Sequence, residues 1–374
     1  MPNTDGKTKE KKRNGAVELL RILAITLILF HHFQQLTGVY HTGGINFYNG
    51  RFPFQYLVEL FFLLSGYLAW KYHKKILQGQ TFPGYLMERI RRLFPGMVIA
   101  DLFCYALLYI YYRFCGSYWM DIPINKGRLL ITLLGMGSGW FVPGTQINSP
   151  TWYVSVLFLC LIIMYLLTGL SKKSRCPMWI LSVAMILLGL LRWGLERYTQ
   201  IGFVPFWDTY SCRGYYAFFF GLLLAERNEN KGFSAKTLYA WMGISIGTLV
   251  LYLWMPGPFL DWINVILALV IYPPVLLLAM SEKVNEKTRG WKAISFLGKM
   301  SYSVYLWHVP FLIGMWILLL YRNCYIDLTR PAVMLVYALL AWGVGILCYF
   351  VLELPFRMVF RGLVRILGSK KNDN

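Results

Sequence analysis

The sequence predicts an all-α integral membrane protein of about ten transmembrane helices. Both termini are placed in the cytoplasm, and a short extracytoplasmic helix or re-entrant segment is placed between the third and fourth spans. Three observations predict this. Of 374 residues, 57% are hydrophobic and only 14% are charged, whereas a soluble domain carries about 25% charged residues. Several apolar runs approach or exceed the roughly 18 residues that cross about 30 Å of hydrocarbon. The connections between those runs are basic at every second position, which orients the chain across the bilayer.

The spans fall at 17–37, 54–72, 94–115, 151–170, 178–196, 213–226, 237–255, 262–281, 300–321 and 330–353. The sixth is the shortest. Basic clusters run from Lys7 to Arg13, Lys71 to Arg92, Lys172 to Arg175, Arg227 to Lys236, Lys283 to Lys299 and Arg357 to Lys371. All lie on one side of a ten-span topology, and dropping any span destroys the alternation. The chain divides into a cytoplasmic tail (1–16), a transmembrane domain (17–353) and a basic cytoplasmic tail (354–374). Residues 116–150 are too polar and glycine-rich to span, so "LLITLLGMGSGWFVPG" is placed at the outer side. The polar start and long first apolar run predict no cleavable signal peptide. No soluble catalytic domain is expected after the tenth span, so any chemistry comes from the bundle.

The net charge of +20 assigns orientation to the basic residues and no nucleic-acid partner; the lipid bilayer is the surrounding phase. The seven cysteines have no metal or CxxC spacing. They read as small core residues, with an outer-face Cys212–Cys324 disulfide left open.

Intramembrane ionisable residues are costly and normally face an interior or a cavity. In the first span, His32 follows Arg21 by 11 residues, which puts them about 20° apart on a helical wheel, with Glu18 within about 60° of both. His31 points about 100° away. Cytoplasmic anchoring with a snorkelling arginine explains Glu18 and Arg21. It does not explain His32, deep in the outer half. Glu59, in "VELFFLLSGYLAW", is placed at a similar depth, where a carboxylate fixes an imidazole's tautomer and holds its charge. Ser65 and Gly66 permit close helix approach. In "ERIRRLFPG", Arg89 and Arg92 share a face and suit phosphate, while Arg91 points elsewhere and Pro95 marks a break. Ordinary positive-inside charge explains the same arginines equally well. In "LGKMSYSVYLWHVP", His308 is placed a third of the way up the ninth span, after Ser303. "ELPF" ends the tenth span, with Glu353 and Pro355 near Arg357.

Together these segments resemble the acyltransferase-3 family of integral membrane O-acyltransferases that modify bacterial surface polysaccharides. Arg21 and His32 stand at the family's Arg-x10-His spacing, with Glu18 at the acidic position before them. "VELFFLLSGYL", the Arg89/Arg92 pair, "LGKMSYSVYLWHVP" and "ELP" match further motifs in order. There is one departure: many members carry a glutamate shortly after the tryptophan opening the fourth span. Here Leu157 or Phe158 stands there.

The resemblance implies a multi-pass protein of the bacterial plasma membrane, with acetyl-coenzyme A as acyl donor and no metal. Arg89, Arg92 and Arg21 are assigned to the coenzyme, and a cell-surface glycan hydroxyl to the acceptor. His32 is assigned either general-base or covalent acyl-relay chemistry, with Glu59 or Glu18 orienting it. His308, Ser303 and Glu353 are assigned supporting places. The competing class is an ion- or proton-coupled glycan or lipid transporter, which also needs buried Arg, Glu and His. A lipid-binding scaffold leaves the first-span stripe unexplained.

Overall fold

The computed structural model describes residues 14–51, 53–144, 146–255 and 261–369. The basic cluster Lys7 to Arg13, together with Lys370 and Lys371, lies outside the described residues. The long helices are α1 (Gly15–Thr37), α2 (Leu57–Leu77) and α3 (Phe82–Cys115), then α5 (Trp152–Ser174), α6 (Met178–Tyr198), α7 (Thr209–Lys231) and α8 (Ala235–Trp254). After these come α9 (Ile263–Met280), α11 (Lys292–Tyr321) and α12 (Pro331–Cys348). Short helices α4 (Lys126–Leu133) and α10 (Glu282–Thr288) join them, and α13 (Leu354–Ser369) follows α12. Among the described residues there is no β-strand.

Among the described residues, eight helices are long and apolar enough to cross a membrane. The predicted second and sixth spans, α2 and α7, have 21 and 23 residues but fall outside that set. Their polarity has a local reason: the two helices pack on each other and pair their charges internally. A Cβ at Gly66 would meet the Phe218 carbonyl, and one at Gly221 would meet the Leu63 carbonyl. Both contacts allow the backbones to approach closely. The sixth span is also longer than expected. It begins at a capping box in which Ser211 N–H donates to Asp208 Oδ1 at 2.7 Å and Asp208 N–H donates to Ser211 Oγ at 2.8 Å.

Three boundaries correct the sequence reading. Pro95 does not break α3, which starts at Phe82 and runs through it. Packing on α11 and α13 holds the helix despite the missing N–H. α11 begins at Lys292, eight residues earlier than predicted, so His308 stands at mid-helix rather than a third of the way along. Pro355 does not end the last span. A wide turn at Tyr349–Glu353 leads directly into α13, where Pro355 occupies the first turn. Cys212 is buried and Cys324 exposed, and both are free, so the disulfide does not form. α4 packs on α3 and is followed by a loop around Gly137–Phe141.

Candidate active site

Helices α1, α3 and α11 start at one end of the bundle, and α12 finishes there. At that end lies a cavity of about 290 Å³. Its wall carries Arg21, Arg89, Arg92, Lys299 and Arg357, against a single carboxylate, Glu353. Tyrosines 72, 153 and 305 and Leu157 also line it. Arg91 does not. Of the two residues that stand where the family pattern often has a glutamate, Leu157 puts an apolar side chain on the cavity wall and Phe158 does not reach it.

Three of the cations, Arg89, Arg21 and Arg357, are held by local ion pairs. Arg89 is 3% exposed. Its guanidinium lies 3.6 Å from the Tyr72 ring centroid and its NH2 group bonds Glu88 at 2.6 Å. Its buried Nε has no partner among the described residues. Arg21 bonds Glu18 at 3.4 Å. Glu353 accepts from Ser303 Oγ at 2.5 Å, Trp307 Nε1 at 3.1 Å and Arg357 at 3.0 Å. The wide turn Tyr349–Glu353 aims this carboxylate inward, a frequent use of π-type turns.

Above Tyr305 sits a cluster of three histidines. His32 stands between the others, its ring centroid 5.0 Å from His31 and 5.0 Å from His308. Every Nδ1 faces an oxygen. In His31 it donates to Phe47 O at 3.2 Å, in His32 to Gln35 Oε1 at 2.8 Å, and in His308 to Tyr305 O at 2.8 Å. An oxygen acceptor on Nδ1 leaves the lone pair of the neutral ring on Nε2. His32 is thus set up with its basic nitrogen free to meet a proton. Pro310 supports this stretch of α11. It has no N–H for the Leu306 carbonyl, and Asn148 Nδ2 takes that place at 2.9 Å.

Neither carboxylate assigned to His32 reaches it. Glu59 is fully buried and forked by Arg213, at 2.6 and 3.0 Å, with Tyr216 Oη donating at 3.2 Å. Asn264 Nδ2 completes the group by donating to Tyr216 Oη at 2.7 Å. Arg213 also lies over the Trp152 ring, 4.6 Å from its centroid. Glu59 faces α7 because α2 packs there, and an arginine at close range saturates it. Glu18 is 14 residues below His32, or about 21 Å along the helix. It is seated against Gly298, where a Cβ would collide with it. Its place is beside Arg21, which lines the cavity.

Sequence reasoning missed Arg213, Lys299 and Gln35. Gln35 was legible as the i+3 neighbour of His32. Arg213 fell at a span boundary, 154 residues from its partner, and carried no signal.

An O-acetyl transferase of Shigella phage Sf6 is 26% identical over 231 residues, covering 57% of this chain and 62% of that protein. The chain thus aligns with about three fifths of the length of the curated relative it matches. No solved structure matches. The acyltransferase-domain family model matches residues 14–352, from the cap of α1 to the wide turn below the cavity. That span is nearly the whole described bundle, and the chain belongs to the acyltransferase-3 family.

Proposed function

We propose that this protein transfers a short acyl group, acetyl foremost, from cytoplasmic acyl-coenzyme A to a hydroxyl of an extracytoplasmic glycan. The bacterial plasma membrane is its location. The observation that carries this reading is the cavity with five cations around one carboxylate. A polyanionic donor with several phosphates suits that surplus, and arginines recognise phosphate through forked hydrogen bonds. The thioester, at the end of a long arm, points up past Tyr153 and Tyr305 toward the histidines. His32 acts as general base on the acceptor hydroxyl, an effect typically worth about 10²–10⁴-fold.

The topology proposed with it has ten spans, α2 and α7 included, and cytoplasmic termini. The six basic clusters support that count. Cysteines introduced at Asn46 or Asn323 are expected to react with an impermeant reagent in intact cells, and one at Ser174 is not. Reaction at Ser174 overturns the topology.

The activity is tested with purified protein in lipid nanodiscs. Coenzyme A is expected to bind, and binding is expected to weaken steeply with salt. Absence of binding refutes the donor assignment. Radiolabelled acetyl-coenzyme A given without acceptor is expected to leave no label on the chain. Label retained at His32 changes its role from base to nucleophile.

A further inference from the structure

A second cavity, of about 320 Å³, lies between α4 and the loop that follows it. That volume falls in the range of about 300–1,000 Å³ that takes small organic ligands. One wall is apolar, made of Ile131, Val142 and Pro143. The polar groups around it are the amides of Asn125 and Gln146, the Thr132 hydroxyl and one charged side chain, Arg128. Arg128 is partly buried. Its guanidinium has no ion pair and no hydrogen bond among the described residues, so its N–H donors are left for a ligand or water.

Local structure builds this site. Asn125 Oδ1 accepts from the N–H groups of Gly127 at 2.7 Å and Arg128 at 3.3 Å. The start of α4 is therefore capped, and the arginine rather than the helix end is the group on offer. Nη2 of Arg128 lies 3.6 Å from where a Cβ would stand on Gly144, whose φ of +116° favours glycine. The guanidinium thus lies over the loop instead of reaching outward as a snorkelling arginine does. Gln146 is 2% exposed, and its amide is seated on Gly137, where a Cβ would collide with it. Two residues further, Asn148 Nδ2 donates to the carbonyl of Leu306 at 2.9 Å, two residues before His308. The cavity wall is tied in this way to the stretch of α11 that carries the third histidine.

We propose that this cavity binds an oxyanion-bearing sugar unit of the acceptor, with Arg128 holding the oxyanion. This rests on the acceptor being an extracytoplasmic glycan, as proposed above. A planar guanidinium forks onto a carboxylate or a phosphate. Amide and hydroxyl side chains pair with sugar hydroxyls, and the apolar wall covers the sugar's C–H face. The oxyanion is either the carboxylate of an acidic sugar or a phosphate ester on the chain. In the proposed topology α4 is extracytoplasmic, where a basic residue serves no orienting purpose. One unit held here leaves a neighbouring unit of the same glycan to present its hydroxyl to His32.

Binding is measured on the full chain in nanodiscs of neutral phosphatidylcholine, by saturation-transfer NMR, with glucuronate, glucose 1-phosphate and glucose as probes. At least one charged probe is expected to bind about 10–100-fold more tightly than glucose, the range for a hydrogen bond to a charged group. A preference for glucuronate assigns a carboxylate, and one for glucose 1-phosphate assigns a phosphate. Arg128→Gln is expected to erase the preference and Arg128→Lys to keep part of it. Thermal midpoints are expected to stay unchanged, since the guanidinium has no bond to lose. Equal binding of all three probes, or a preference that survives in Arg128→Gln, overturns the proposal. So does its disappearance in nanodiscs containing anionic phosphatidylglycerol, which assigns Arg128 to lipid headgroups. With host surface glycan as acceptor, Arg128→Gln is expected to raise KM for the glycan at least about tenfold, while kcat and coenzyme A affinity stay within about twofold. An unchanged glycan KM overturns the assignment to the acceptor. A parent chain that binds coenzyme A but transfers nothing to glycan instead overturns the acceptor reading beneath it.

Discussion

The two ends of the polar column are built on opposite principles. The cavity at one end of the bundle concentrates charge: five cations surround Glu353, and Arg92 and Lys299 remain exposed. Among the described residues, the histidine cluster makes no hydrogen bond to a charged side chain; its three rings are committed through Nδ1 to oxygens. Charge in excess binds a charged ligand. Neutral groups with one open lone pair move protons. On the function proposed above, the difference teaches where donor binding would stop and chemistry begin, at about the level of Tyr305, which lines the cavity and whose carbonyl accepts from His308.

The sharpest way to break this division is His32→Ala. Acyl transfer, counted as acyl groups on the acceptor per folded protein, is expected to fall by about 10²–10⁴-fold. Coenzyme A affinity is expected to be unchanged. A loss of affinity equal to the loss of rate would put His32 in the binding half.

Next in size is the pair between α2 and α7. Breaking a buried ion pair by removing one partner costs about 3–5 kcal/mol, because the other charge is left uncompensated. Glu59→Gln is expected to lose that much stability, read as a lower thermal midpoint in nanodiscs. The double variant Glu59→Gln with Arg213→Met is expected to lose less. If Glu59→Gln is as stable as the parent but inactive, the carboxylate serves the chemistry and the division moves outward.

How much of this was legible follows physical lines. Long apolar helices announce themselves, and within one helix the 100° step placed Arg21 with Glu18 and separated His31 from His32. Arg89 and Arg92 likewise shared a wall that Arg91 does not reach. What failed was contact between helices. Depth alone put Glu59 beside His32, but depth says nothing about azimuth. The small residues Gly66 and Gly221 turn α2 toward α7, and so Glu59 toward Arg213. The same pairing explains why α2 and α7 look too polar to span. The length of α11 was hidden by its polar start, "KAISFLGK", so His308 was placed nearer the start of its helix than it is.

On the binding side, Arg89→Ala and Arg92→Ala are each expected to weaken coenzyme A by about 10–100-fold, the range for a charge-assisted hydrogen bond. Isothermal titration checks this. Arg→Lys is expected to restore part of it, since lysine lacks the planar fork. Arg91→Ala, off the cavity wall, is the internal control. Unchanged affinity in both cavity variants would remove phosphate recognition from that wall.

The smallest effect sharpens the boundary most closely, because it separates two adjacent residues of the same type. His31 is 1% exposed and gives its Nδ1–H to the Phe47 carbonyl. That bond ties α1 to the loop leading into α2, where Gln34 Oε1 also accepts from Phe47 N–H at 2.6 Å. His31 therefore has a holding task, and its ring faces the loop while His32 faces α11. His31→Ala is expected to cost about 0.5–1.5 kcal/mol of stability, the worth of one hydrogen bond, since the Phe47 carbonyl keeps the bond that it accepts from Phe54 N–H at 3.2 Å. His31→Asn, whose amide imitates the Nδ1–H, is expected to recover most of it. Transfer per folded protein is expected to stay within about threefold in both, less than half a tenfold step in barrier terms. Thermal midpoints and normalised rates measured on the same samples decide it. A His31→Asn chain that is stable but a hundredfold slower would move the reacting proton one residue back along α1 and join His31 to the chemistry.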